Sequence, residues 1–522
     1  MKTLPRNAVT AAAVLAIAVY GVLSLPVIHH PLGSDWGHYF TAAEYIWDRV
    51  DGIAYPDFRK PWFGWILGGV GQTLGYFDAA RTIGHASLVI MVGSAGLLAT
   101  ALANRLAGVV AAGCVVLMPL VMDGVVWVNH YPLLSAAVGL AFAAGAAANR
   151  WGSLVWVGVA ALAGGAAWAL DIRGGIGVAV ATGLVLLSAC RQSRRGAAVR
   201  IVLFGGIVSA VLAHDRWLQD AFDVPQLAFE QQLTVQRKGT LEQISRGLFD
   251  DAALEAACQD AAVTTFKLSE VATPCAAALR SASYRRMNGD RHLPGLPTIA
   301  VAMLWLVPWR DPTGSRGRMV CSTVASAAIG GAVFASLWVG MSWVTYFDRY
   351  AMPLAVALAA LVPVAAARLA SWVPRCPSWV PAALATAWII NIEPTWAARS
   401  LDSPEMARSS EFHAGELARW AREAVQPGDR VLDCAGLAVD SLLLPDRIDY
   451  TRFPPGDPEC VALLRTPPAT SGTFFLITMH RDIPPHMSAA ALPFNINAVA
   501  RAGYVPVQHT LELEGFRLWR RK

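Results

Sequence analysis

The chain has 522 residues, 55% of them hydrophobic and 15% charged, with a mean hydropathy of +0.43. Soluble globular chains carry about 25% charged residues, so this composition excludes a single water-soluble globule and indicates an α-helical polytopic membrane protein. The net charge of +5 calls for no nucleic-acid partner, because basic loops on one membrane face produce such an excess.

Lys2 and Arg6 precede an apolar run near 8–28. This resembles a secretory signal, but the run ends in Leu25-Pro26-Val27-Ile28-His29-His30, a poor cleavage site. It reads as an uncleaved first span with its positive end inside. Two polar knots follow. The first surrounds Asp35 and His38; the second carries Asp57, Arg59 and Lys60 before Pro61. Residues 62–76 are apolar, short and rich in glycine.

Apolar windows of roughly 17–25 residues mark further spans near 82–102, 105–122, 131–148, 152–170, 174–190, 199–217, 296–309, 319–343, 351–368 and 378–395. With the first, that makes about eleven. Loop charge decides whether 62–76 is another. If it does not cross, Arg105, Arg150, Arg191 to Arg200, Arg310 to Arg318 and Arg368 to Arg375 all fall inside, as the positive-inside rule requires. If it crosses, every one of them inverts. Residues 62–76 are therefore expected to form a juxtamembrane helix at the outer face.

Two outer segments are large. Residues 218–295 are expected to cap the outer face. Residues 396–522 read as a small extracytoplasmic α/β domain, following a transmembrane domain of residues 1–395 that includes outer loops 29–81 and 218–295. Within 396–522, a helix is expected near 409–424 and strands at Arg430–Cys434 and Thr473–Thr478. The alternation over Thr510–Trp519 fits an amphipathic strand or hairpin. Cys258, Cys275, Cys434 and Cys460 fall outside on this topology, two in each segment. An oxidising compartment lets each pair close, Cys258 with Cys275 and Cys434 with Cys460. The alternative is that they serve only as small apolar residues.

Ionisable groups near hydrocarbon cost roughly 2.5–3.5 kcal/mol each on insertion scales, so they have partners or tasks. Those that converge on the outer face are Asp35 and His38, then Asp57, Arg59 and Lys60. Asn129 and His130 lie between the third and fourth spans, Asp171 and Arg173 between the fifth and sixth, and Tyr346, Arg349 and Tyr350 before the tenth. Each has a plain alternative. Asp35 would cap a helix over 36–50. Lys60 and Arg173 would snorkel, Asp171 would pair with Arg173, and Arg349 with Asp348. Asn129 and His130 would hold a hydrogen-bonded loop.

In order and spacing these elements resemble the GT-C superfamily of membrane glycosyltransferases, especially its protein O-mannosyltransferase and lipid A aminoarabinose transferase branches. The resemblance runs from Asp35 to Tyr350. Asp35 occupies the place of the family's catalytic acid after the first span. The stretch from Tyr55 to Lys60-Pro61-Trp62, with four residues between Tyr and Lys and Trp for the second Pro, resembles the Tyr-x-x-x-Lys-Pro-Pro element that opens a juxtamembrane helix. Ala79-Ala80-Arg81, Leu170-Asp171-Ile172-Arg173-Gly174 and Arg349-Tyr350-Ala351-Met352-Pro353 resemble later family elements. Departures are equally specific. Trp36 follows Asp35 where many relatives have a second acid. Asn129-His130-Tyr131 replaces an Asp that often begins the fourth span, and Arg59 stands where some members have a metal-binding Glu. A divalent metal is accordingly not favoured, although Asp35 with His38 or His130 offers a place for one ion.

The resemblance implies a polyprenyl-phosphate-linked sugar donor in the bilayer of a cell (inner) membrane, with an envelope glycan, lipid or protein as acceptor. Such transfer needs a base for the acceptor proton, which Asp35 supplies. It also needs fixed cations for the departing lipid phosphate, and these are Lys60, Arg59, Arg173 and Arg349. Arg suits phosphate oxygens as a fork and Lys as a point charge. His38, Asp57, Asn129, His130, Tyr346 and Tyr350 are expected to orient substrate. A different class of reading is a transporter or flippase for a lipid-linked intermediate; a third is an inactive relative that lacks the second acid.

Overall fold

The computed structural model describes residues 6–25, 35–47, 60–125, 129–224, 323–331, 347–373, 376–377, 379–392, 429–433, 449–452, 474–479, 503–506 and 516–521. Among them are α1 (Arg6–Ser24), α2 (Asp35–Trp47), α3 (Pro61–Leu74), α4 (Tyr76–Leu102), α5 (Arg105–Val116) and α6 (Pro119–Gly124). Next come α7 (Tyr131–Trp151), α8 (Leu154–Leu170), a 3-10 turn (Ile172–Gly174), α9 (Gly175–Ala189) and α10 (Arg194–Ala221). A helical stretch at 323–331, α11 (Phe347–Trp372) and α12 (Trp379–Ile392) complete the helices.

The chain is a mostly helical membrane protein. Among the described residues, Asp78–Leu102, Tyr131–Trp151, Arg194–Ala221 and Met352–Trp372 are each long and apolar enough to cross a membrane, and four shorter apolar helices accompany them. The expected span at 296–309, and all of 319–343 but 323–331, lie outside the described residues.

Helix α7 is the hub, packed on α4, α8, α9 and α11. Its buried face is rich in Ala and Gly, which lets neighbours come close. A Cβ at Gly139 would lie 2.6 Å from Val356 of α11, and one at Gly145 would lie 3.0 Å from Leu184 of α9. Where lipid is as apolar as the helices, such close packing holds them together.

Arginines mark one end of the bundle. Arg150 at the end of α7 donates to the carbonyl of Ala101 near the end of α4, at 3.0 Å. Arg191 beyond α9 donates to the Asn149 carbonyl at 2.9 Å, and Arg200 in α10 to that of Gly152. Arg368, buried late in α11, donates to Ser326 at 2.6 Å. These cations satisfy the orphan carbonyls and negative dipole ends of helix C-termini. Arg105, Arg150, Arg191, Arg200 and Arg368 thus share one end. The starts of α7 and α9 and the ends of α8 and α10 share the other.

Of residues 62–76, all up to Leu74 lie in α3, whose 14 residues fall short of the roughly 20 that a span needs, and Tyr76 begins α4. Gly75 ends α3 and begins α4 with φ +81° and ψ 152°, a conformation that residues with a Cβ adopt only under strain.

The C-terminal strands are β1 (Arg430–Asp433), β2 (Asp449–Arg452), β3 (Phe474–Met479), β4 (Tyr504–Pro506) and β5 (Phe516–Arg521). They form one mixed sheet in the order β2-β1-β3-β5-β4. β1 runs parallel to both β2 and β3, while β5 is antiparallel to β3 and β4. Val431, Leu432, Tyr504 and Trp519 are buried on it. Strands were expected at β1, β3 and β5; β2 and β4 were not. The helix expected near 409–424 and the four cysteines of the expected pairs lie outside the described residues.

Gly75→Ala is expected to destabilise the folded protein by about 1–3 kcal/mol, the usual cost of a disfavoured backbone region. Among the described residues no atom lies within 4 Å of the added methyl, so the loss is conformational. A lower thermal unfolding midpoint in detergent, with unchanged elution in gel filtration, checks it.

Candidate functional site

Helices α2 and α3 set the site. Tyr39 packs edge-on against Phe63 with ring centroids 5.0 Å apart. Ala42 fills the space beside Gly64, and Trp47 that beside Gly68. Trp47 also donates to the Trp65 carbonyl at 2.9 Å. Residue numbers climb together along both helices, so the pair is parallel and its two starts lie side by side. Asp35 is the first residue of α2. Lys60 is the N-cap of α3, followed by Pro61, whose missing N–H costs nothing at that position. Both helix starts direct unsatisfied N–H groups and a positive dipole end toward the same region.

Lys60 is held from two sides. Its Nζ donates to the carbonyl of Trp168, in the last turn of α8, at 2.7 Å, and to Oδ2 of Asp215 on α10 at 3.3 Å. It also lies 5.3 Å from the centroid of the Trp168 ring, a cation–π contact. Burial lowers the Lys60 ammonium below its ordinary value, and Asp215 and then Asp171 oppose that fall. Asp215 accepts a further hydrogen bond from Gln219 at 3.0 Å.

A second network adjoins the first. Arg173 and Asp171 lie in the tight turn from α8 to α9. Gly174 makes this turn tenable, because a Cβ there would run into the Ala167 carbonyl. Asp171 accepts from His130 Nε2 at 3.0 Å and, through Oδ1, from the backbone N–H of Arg173 at 2.8 Å. The Arg173 guanidinium stands 3.9 Å from Asp171 Oδ2, donates to the Tyr131 hydroxyl, and lies 5.8 Å from that ring's centroid. Burial works against the Asp171 carboxylate, but Arg173 and then His130 outweigh it and hold the group well below the usual carboxylate range. Since Asp171 is ionised, His130 donates to it from Nε2, and the Tyr39 hydroxyl of α2 bonds Nδ1 on the other side of the ring. Asn129 Oδ1 accepts from the backbone N–H of Tyr131 and shapes the start of α7.

The expected site residues divide by what the structure describes. Lys60, Arg173, Asn129 and His130 meet at this end of the bundle. Lys60 and Asp171, the partner of Arg173, are coupled electrostatically. Asp35 and His38 lie in the first turn of α2, the turn that leads into Tyr39. Arg349 and Tyr350 lie in the first turn of α11. Three residues after Arg349, Met352 packs against Gly124 at the end of α6, which brings the α11 start to the same end. Asp57, Arg59 and Tyr346 lie outside the described residues. Among the described residues, no three His, Cys, Asp or Glu side chains come together to hold a metal ion.

Asp171 was expected to pair with Arg173. It does so through the Arg173 backbone and, at longer range, its guanidinium, while its closest side-chain partner is His130. Tyr39, Tyr131, Trp168 and Asp215 joined the site without having been picked out. The signal for Asp215 was a carboxylate near a span end, where the cost of burial calls for a cation.

Because Asp171 is held ionised, its contribution to stability is present above its ordinary value of 3.8 and is lost as the pH falls below it. Asp171→Asn is expected to lower the thermal midpoint at neutral pH. The deficit should shrink as acid protonates the wild-type carboxyl too. Midpoints across a pH series check this.

No family model matches the chain, and no curated protein matches it. Solved structures do. ArnT from Cupriavidus metallidurans bound to undecaprenyl phosphate is 12% identical, with 99% of this chain and 98% of that one covered and a TM-score of 0.44. The Archaeoglobus fulgidus oligosaccharyltransferase in its apo form is 11% identical, with coverages of 90% and 69% and a TM-score of 0.47. The arabinosyltransferase EmbB from Mycobacterium smegmatis is 14% identical, with coverages of 73% and 43% and a TM-score of 0.29. These neighbours are GT-C glycosyltransferases, the group whose motifs the sequence resembles. At such identities and scores the likeness gives no residue of this chain a role.

Proposed function

We propose that this chain is a membrane glycosyltransferase that moves a sugar from a polyprenyl-phosphate donor to an acceptor at the extracytoplasmic face. The observation that carries the reading is the meeting of Lys60 and Arg173, 113 positions apart in sequence, around two carboxylates. They meet beside the helix that begins at Asp35. Both cations belong to elements, Lys60-Pro61 and Arg173-Gly174, that resemble family motifs.

In this reading Asp35 takes the proton of the acceptor hydroxyl as its oxygen attacks the anomeric carbon. The carbon–oxygen bond to the phosphate breaks, its electron pair leaves with the phosphate oxygen, and the anomeric centre inverts. Lys60 and Arg173 stabilise the charge that develops on that oxygen. The N-termini of α2 and α3 add dipole support for an anion. Arg349 reaches the phosphate from the start of α11, and Arg59 from beside Lys60. His38, Asp57, Asn129, His130, Tyr346 and Tyr350 orient the substrates, with His130 fixed between Tyr39 and Asp171. The arginine-rich end faces the cytoplasm of a cell (inner) membrane and the site faces away, following the positive-inside rule. About eleven spans make up residues 1–395, and residues 396–522 form an extracytoplasmic α/β domain around the sheet.

Asp35→Asn is expected to cut sugar transfer at least about 100-fold while leaving abundance and the thermal midpoint near wild type. Purified protein, a labelled polyprenyl-phosphate sugar and membrane-extract acceptors provide the assay. Full activity in the variant, or movement of lipid without sugar transfer by the wild type, would contradict the proposal.

A further inference from the structure

The Lys60–Asp215 pair raises a problem for any anionic ligand of Lys60. Lys60 is not waiting with an open charge: its Nζ already binds Asp215 Oδ2 at 3.3 Å. Across the two networks Lys60 and Arg173 face Asp171 and Asp215, so two positive charges meet two negative ones. A phosphate that approaches Lys60 competes with Asp215 for its charge.

Of the two partners, Asp215 is the fixed one. It is buried, on a helix clamped to α3 through His214, whose ring lies 5.6 Å from Trp62 and 5.0 Å from Trp65 by centroids. Lys60 has a flexible four-carbon stem and caps the start of α3. Asp215 is also poorly satisfied. Oδ2 accepts from both Lys60 and Gln219, while the buried Oδ1 has no hydrogen-bond partner among the described residues. A buried carboxylate that loses its cation is strongly disfavoured, so Asp215 draws Lys60 back whenever Lys60 leaves.

We infer that Asp215 is the resting counter-ion of Lys60, competing with the lipid phosphate for its ammonium and thereby setting how tightly the spent polyprenyl phosphate is held. Asp215 acts through Lys60 and is a positioning residue. The inference rests on the proposed reading of Lys60 as a phosphate ligand and adds a device for product release. No covalent step is involved; the ammonium exchanges one anion for another.

The test measures binding of polyprenyl phosphate to the full-length protein in detergent, with the matching polyprenol as the uncharged control. Asp215→Asn keeps the shape and a hydrogen-bonding group but removes the competing charge. It should tighten polyprenyl phosphate binding about tenfold, leave polyprenol binding unchanged, and lower both KM for the donor and kcat, because release slows. Lys60→Met should weaken phosphate binding, and most of the gain from Asp215→Asn should vanish in the double variant. Gln219→Met strips Asp215 of its other partner and should weaken phosphate binding by making Asp215 hold Lys60 harder. That opposite sign keeps the test decisive if Asp215→Asn fails to fold. Unchanged or weaker binding by Asp215→Asn, with Lys60→Met weakened, would overturn the inference and leave Lys60 a phosphate ligand. An undiminished gain in the double variant would show that Asp215 does not act through Lys60, and would overturn it too. Unchanged binding by Lys60→Met would remove the underlying reading itself.

Discussion

Lys60 is bound by a carbonyl of α8 and a carboxylate of α10, and through it α3 is tied to both helix ends. A charge cannot be left half-buried without such partners, so the site is organised around keeping its charges in balance. Lys60 and Arg173 are matched by Asp215 and Asp171, with His130 completing the bonds of Asp171. The same balance limits what the site does chemically. On the proposed reading, an anion that enters competes with a carboxylate for its cation, and the carboxylate takes the cation back when the anion leaves.

The two ends of the bundle use their cations differently. At one end, Arg150, Arg191, Arg200 and Arg368 donate to backbone carbonyls. Carbonyls are built into helix ends and cannot be exchanged, so these arginines are structural. At the other end, Lys60 faces a carboxylate of α10 and Arg173 one in its own turn, and an ion pair between side chains is replaceable by a ligand. The parallel pairing of α2 and α3 brings the turn headed by Asp35 to this replaceable set. Tyr39, bonded to His130, pins that turn to α7.

Much of this was legible in the sequence. The apolar windows matched α1, α4, α7 to α10, α11 and α12 because span length and composition alone identify such helices. The arginines were legible as one face because insertion sorts them by sign. Lys60 and Arg173 stood out because each adjoins a Pro or Gly that shapes a turn at a span boundary. Asp215 did not, since its partner lies 155 positions away: an acid near a span end calls for a cation without saying which one. Tyr39 was one aromatic among many near a membrane surface, and its bond to His130 arises only when the fold brings α2 beside the start of α7. In the sheet, β2 is four polar residues and β4 a three-residue edge strand ending in Pro506. Neither has an alternation long enough to read, and pairing with neighbours alone makes them strands.

The most direct measurement is a structure of the protein with polyprenyl phosphate bound. The account predicts phosphate oxygens within hydrogen-bonding distance of both Lys60 Nζ and the Arg173 guanidinium, Lys60 drawn away from Asp215, and the Asp35 carboxylate facing the same chamber. A phosphate bound elsewhere with the Lys60–Asp215 pair intact, or an Asp35 side chain turned into bulk solvent, would contradict it.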